Sequence, residues 1–134
     1  MKLLLDTHIA LWALTDDPKL PAIARRLIED ESNDIYVSAA SAWEVSIKHA
    51  THPDKMLVDS TAYIGYCIDA GFRQLPISHV HVSLLETPQR PEGSPQHNDP
   101  FDRIMLAQAK FEGMLFITHD ALMADYNEPC IMTV

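Results

Sequence analysis

The segment Lys2-Leu-Leu-Leu-Asp6-Thr-His8 constrains the fold more than any other, because an unbroken apolar run close to the start ends on an acid. A short apolar run without alternation suits a strand covered on both faces, as in a parallel sheet flanked by helices. In open sheets of that kind the chemistry collects at the carboxyl ends of the strands, and Asp6 stands at such a corner. Taken alone, Asp6 reads better as the N-cap of a helix over Thr-His-Ile-Ala-Leu-Trp. Other acids arriving at the same edge change that balance.

The rest of the chain alternates in the same manner. Ile9, Leu11, Trp12 and Leu14 fit a short helix, and a second helix opens near Pro21 with Ile23, Ala24, Leu27 and Ile28 on one face. Ile35 to Ser38 is β-branched and aromatic enough for a second strand, and a helix follows through Ser41 to Lys48. On that helix Glu44 shares a stripe with Ala40 and Ile47, which points it inward. An exposed Glu44–Lys48 pair at i,i+4 is an equally good account of it. A helix over about 60–70 carries Tyr63, Ile64, Cys67 and Ile68 as a core stripe, Gly71 stops it, and Phe72 to Ile77 is a third strand. Ser78 caps a short helix through Leu85. His79 and His81 lie two apart, so on a helix they face different ways and read as surface or core residues, not as metal ligands.

Glu86 to Asn98 is rich in proline and polar residues, a long loop of the kind that is mobile or functional. Pro100 at a first helical position makes Asp99 an N-cap, with the helix running to Gly113. Asp102 then falls in the first turn on the face of Met105, Leu106 and Ala109, where an unpaired charge is costly and a functional role is the better reading. Met114 to Thr118 is a fourth strand that ends in His119-Asp120, repeating the arrangement at Asp6, and Ile131 to Val134 is a last short one.

At 134 residues, 47% of them hydrophobic, the chain matches one domain over 1–134. Cys67 and Cys130 lack metal or CxxC spacing, which predicts free thiols and a reduced, cytoplasmic setting. No stretch is long and apolar enough for a membrane or a leader, so a soluble, untargeted protein is expected. The net charge of −9 speaks against a broad basic surface for nucleic acid and favours a basic protein partner. It leaves room for an enzyme whose acids bind cations that in turn bind phosphate.

Asp6 and Asp120 at strand ends, and Glu44 and Asp102 on inward helix faces, can meet at one sheet edge. Two carboxylates about 5 Å apart repel by roughly 3 kcal/mol at an effective dielectric near 20, so four together call for cations between them. All-oxygen ligation suits Mg²⁺ or Mn²⁺, and such ions make phosphodiester hydrolysis the natural chemistry.

Four segments in order, Leu-Leu-Leu-Asp6-Thr-His, Ser-Ala-Trp-Glu44-Val-Ser-Ile-Lys, His-Asn-Asp99-Pro-Phe-Asp102-Arg-Ile-Met-Leu-Ala-Gln-Ala and Phe-Ile-Thr-His-Asp120, resemble the PIN-domain ribonucleases over the whole chain, in particular the VapC-like toxins of bacterial toxin-antitoxin pairs. The resemblance implies an α/β fold, a three-layer α/β/α arrangement around a small parallel sheet of four to five strands. It implies Asp6, Glu44, Asp102 and Asp120 as the metal-binding quartet, with Asp99 a helper beside them. It further implies Mg²⁺-dependent cleavage of RNA, with Mn²⁺ able to substitute, homodimers, and inhibition by a cognate antitoxin, for which the helices near Trp12 and Trp43 offer an apolar seat. The loop from Glu86 to His97 is longer than the resemblance leads one to expect. Two rival readings differ in class: a non-catalytic protein-binding domain whose acids merely cap helices, and a haloacid-dehalogenase-type phosphatase, which needs a second acid where His8 stands.

Overall fold

The computed structural model describes residues 1–86, 90, 92–93 and 99–134. Five strands form one fully parallel sheet: β1 Lys2–Leu5, β2 Asp34–Ser38, β3 Arg73–Leu75, β4 Leu115–Thr118 and β5 Ile131–Thr133, in the order β3-β2-β1-β4-β5. The helices are α1 Thr7–Leu14, α2 Ala22–Glu29, α3 Ala39–Thr51, α4 Ser60–Asp69, α5 His79–Ser83 and α6 Pro100–Glu112. Short 3₁₀ segments follow at Leu84–Glu86 and Ala121–Tyr126.

The leucine run explains why β1 is central. Leu3, Leu4 and Leu5 are all fully buried, and because successive side chains alternate across a strand they feed two different cores. Leu3 and Leu5 join Ile9, Ala24, Val45, Tyr63 and Cys67 on one face. Leu4 joins Leu106, Met105, Phe116 and Met123 on the other. Phe116 and Ile117 of β4 divide in the same way, so the helices cover both faces in three layers as expected.

The strand order has one functional consequence. The chain winds outward from β1 through β2 to β3, then returns to place β4 on the other side of β1, with Leu5 level with Ile117. The order therefore reverses between β1 and β4, and a crevice opens beyond the carboxyl ends of those two strands. Asp6 and Asp120 lie immediately after them.

Several local expectations need correction. Ile64 and Ile68 are 37% and 57% exposed; Tyr63 and Cys67 alone carry α4 into the core. Ile23 is likewise exposed, and only Ala24 of α2 is fully inside. The third strand is shorter than Phe72 to Ile77, since the Phe72 N–H closes α4 on the Cys67 carbonyl and Pro76 has no N–H to donate. Pro21 is the N-cap residue of α2, one position before the helix. The expected loop over 86–98 lies mostly outside the described residues.

Both cysteines are free. His81 is buried as a structural residue: its Nδ1 accepts the Ser78 N–H while its Nε2 meets Glu112 at 2.9 Å. His79 is exposed. Among the described residues no helix is long and apolar enough to cross a membrane.

Candidate active site

Asp6, Asp99, Asp102 and Asp120 are delivered by a helix cap or first turn, and Glu44 by the second turn of α3. Asp6 leaves β1 and caps α1, its Oδ1 accepting the Thr7 N–H at 2.6 Å. Capping and site placement are thus one geometry here, since the N-cap position turns the carboxylate to the open edge of the sheet. Its Oδ2 accepts the Thr118 hydroxyl at 2.7 Å. Thr118 Oγ1 in turn accepts the Asp120 N–H at 3.1 Å, so one buried hydroxyl from β4 ties Asp6 to Asp120. Asp120 caps the following 3₁₀ segment through the Leu122 N–H at 2.9 Å.

Glu44 projects from the second turn of α3 and is 4% exposed. Its Oε1 accepts the Thr7 hydroxyl at 2.6 Å and its Oε2 accepts Lys48 Nζ at 2.6 Å. The i,i+4 pair read from the sequence exists, but its acid is buried while Lys48 remains 40% exposed at the side chain, so it is a cleft interaction and not a solvated pair. Asp99 caps α6 through the Phe101 and Asp102 N–H groups at 2.9 and 3.3 Å. Asp102 follows in the first turn and is 6% exposed.

All five acids line one cleft of about 340 Å³ at the β1/β4 crevice. Its remaining walls are His8, Trp12, Lys48 and His119. The rings of His8 and Trp12 lie 5.9 Å apart and those of Trp12 and His119 5.7 Å apart, forming an aromatic row along one side. Trp43, 58% exposed, sits outside the cleft with its ring edge-on to Phe101. A second recess of about 330 Å³ lies towards β3 among Val37, Ala42, Tyr63, Ile64 and Leu75, and no Asp, Glu, Lys, Arg or His among the described residues lines it.

The electrostatics follow from burying like charges together. Asp102 is pushed up to about 9, first by burial and then by Asp6, Asp99, Glu44 and Asp120. Asp6 is also raised, mainly by burial; the bonds from Thr118 and the Thr7 N–H oppose the shift, Glu44 adds to it and His8 reduces it. Burial among like charges therefore favours a shared proton on the Asp6–Asp102 pair, while Lys48 pairs with Glu44. Among the described residues no three His, Cys, Asp or Glu side chains converge closely enough to hold an ion as they stand. The donor chemistry nevertheless fits Mg²⁺ or Mn²⁺, since the acids supply hard carboxylate oxygens and no cysteine lines the cleft.

Sequence reasoning placed the five acids but missed the groups that hold them. Thr7 and Thr118 each stand beside a strand end, in Asp6-Thr7 and Thr118-His119-Asp120, and a hydroxyl next to a strand-end acid is the signal that would have found them. His8 stands exposed on the cleft wall, at the position where a phosphatase of the haloacid dehalogenase type needs its second acid.

Comparison with known proteins decides the family. The sequence model described as "PIN domain" matches residues 3–129. The chain belongs to the PIN-domain family. Solved structures with a similar fold include a chain of VapBC2 from Rickettsia felis, in a complex bound to a promoter DNA fragment, at a TM-score of 0.68 and 14% identity over 100% of this chain and 98% of that one. A chain of FitAcB from Neisseria gonorrhoeae aligns at a TM-score of 0.62 and 16% identity over 98% and 96%. A chain of a toxin-antitoxin complex from Klebsiella pneumoniae aligns at 0.58 and 20% identity over 98% and 96%. A search of curated proteins gave no match. In this PIN domain the acids at β1, α3, α6 and β4 occupy a single crevice, and none is stranded on another face.

Proposed function

We propose that this PIN domain, acting as a single unit over 1–134, is a metal-dependent endoribonuclease and the toxin of a toxin-antitoxin pair. Asp6, Glu44, Asp102 and Asp120 are its metal-binding and catalytic acids. The observation that carries the reading is the convergence of these four carboxylates, from four separate parts of the chain, on the crevice where the strand order reverses. Three of them are buried to 6% exposure or less, an arrangement that costs stability unless a ligand returns it.

Bound Mg²⁺ or Mn²⁺ would polarise the phosphodiester, acidify a water and stabilise the leaving oxygen. The chain's own residues prepare for that. Thr118 and the Thr7 N–H fix both oxygens of Asp6, and the Thr7 hydroxyl fixes Glu44, so the acids of β1 and α3 are aligned by one residue between them. The raised pKa of Asp102 favours its protonated form, and the carboxyl must lose that proton before its oxygens serve as ligands. Asp99 keeps the first turn of α6 in place and raises the negative potential at Asp102. Trp12, flanked by His8 and His119, offers a face on which an unpaired base stacks, which favours single-stranded RNA.

The partnership with an antitoxin, pairing of two copies, and a cytoplasmic setting belong to the same reading. Its support is the PIN family together with the toxin-antitoxin complexes among the structures of similar fold. Metal titration by calorimetry tests the quartet. Mg²⁺ or Mn²⁺ should bind the parent chain and release a proton on binding near neutral pH, and Asp6→Asn should lose that site. A parent chain that binds neither ion would leave a protein-binding domain as the better account.

A further inference from the structure

Beside the acidic cleft lies a second, smaller recess of about 260 Å³, walled by His8, Lys48, His52 and Lys55 and floored by Met56. It shares His8 and Lys48 with the cleft, so the two adjoin. On a chain of charge −9 this concentration of basic groups is unusual, and no acid lines it.

Several other cations are already engaged. Arg25 pairs with Asp16, Arg73 with Asp34, Arg90 with Asp125 and Lys110 with Glu128. Lys55 forms no ion pair among the described residues. The recess is also built, since the turn that carries it is closed by the Lys55 and Met56 N–H groups on the His52 carbonyl, each at 3.0 Å. His49 Nδ1 bonds the Met56 carbonyl at 2.8 Å, and Met56 is anchored in the core with 9% exposure. The end of α3 turns its carbonyls this way, which disfavours an anion, and Lys55 and the His8 and His52 rings supply the opposing positive charge and N–H donors. Asp54, the acid of the same turn, does not line the recess.

We infer that this recess seats a backbone phosphate of the single-stranded nucleic acid next to the bond held in the acidic cleft, with Lys55 and His52 as binding residues. The inference rests on the nuclease reading for the identity of the polyanion. Its logic is electrostatic: a cleft of carboxylates repels the strand it must hold, and an adjoining cationic seat grips that strand away from the reacting bond. Lys48, bridging the two compartments through Glu44, sets their relative position.

The test is fluorescence anisotropy of a labelled single-stranded RNA oligonucleotide on the full chain, with Ca²⁺ in place of Mg²⁺, over a range of salt. Lys55→Ala with His52→Ala should weaken binding about fivefold and lower the salt slope by about 0.7 for each phosphate that is no longer neutralised. Lys110→Ala, the same loss of charge beside Gly113 and Glu128, should bind like the parent. Both residues of the double variant are exposed, so its melting temperature should not move. In a cleavage assay the double variant should raise KM and keep kcat within about twofold. Parent-like affinity and salt slope in the double variant would overturn the seat even if the chain cuts RNA. Binding that depends on Lys55 would uphold it even if the chain cuts nothing, in which case only the nuclease reading fails. A parent chain that binds no RNA at all overturns the seat.

Discussion

Asp102 is one of the two carboxyls, with Asp6, at which burial among like charges raises the pKa. Its carboxyl sits in the first turn of α6 with 6% exposure and faces four other acids, so its pKa in the fold, about 9, is far above the unfolded value of 3.8. A raised folded-state pKa means that the native protein holds the proton more tightly than the unfolded chain. The stabilisation is fully present below the unfolded value and is lost as pH climbs through about 9. The metal-free parent should therefore lose stability steadily from weakly acidic to alkaline pH. Asp102→Asn, which removes the charge and keeps the shape, should flatten that profile and raise the melting temperature near pH 8 by about 3–8 °C. A variant that melts lower than the parent in chelator would show that Asp102 is not strained by its neighbours. Added Mg²⁺ should stabilise the parent and leave the variant nearly unmoved.

The junction of β1 and β4 joins the fold to the chemistry, because pairing Leu5 with Ile117 brings Thr118 within 2.7 Å of Asp6 and lets the same hydroxyl take the Asp120 N–H. Thr118→Val keeps the shape of the side chain and removes both bonds. It should lower metal affinity or cleavage by about tenfold to a hundredfold and lower the melting temperature by about 3–8 °C, since the Asp6 oxygen and the Asp120 N–H lose a buried partner; unchanged activity would show that Asp6 needs no such hold. How far such elements can be read from the residues depends on what their positions require. Leu3, Leu4 and Leu5 announce a doubly covered strand, and the inward stripes of Glu44 and Asp102 follow from helical period alone. The hydrogen bond from Thr118 was not legible, because it depends on which two strands become neighbours. Ile64 and Ile68 misled for the opposite reason: their spacing in α4 is right for a core face, but Tyr63 and Cys67 suffice to fill the space and leave them outside. Glu44 shows two readings merging, since its pairing with Lys48 and its burial are both real.

At the scale of the molecule, a charge of −9 gathered partly at one crevice sets what approaches it. A proteinaceous inhibitor should present Arg to the acids, since a guanidinium bonds two carboxylate oxygens at once. Co-expression with the product of the neighbouring reading frame should yield a complex whose association slows with salt, and replacing the inhibitor's cleft-facing Arg by Ala should weaken inhibition about tenfold or more. Equal binding to a chain with Asp6, Glu44 and Asp120 all neutralised would place inhibition elsewhere. Hydrolysis at the quartet is the central claim, and its most direct measurement is the cleavage of single-stranded RNA by the parent, Asp6→Asn and Asp120→Asn in Mg²⁺ and in chelator, with the product ends sequenced. The parent should cut only with the metal, leaving ends without a 2′,3′-cyclic phosphate because water is the nucleophile, and each variant should fall by at least about a hundredfold while keeping its fold. Cleavage at the parent rate by either variant, or undiminished cleavage in chelator, would contradict it.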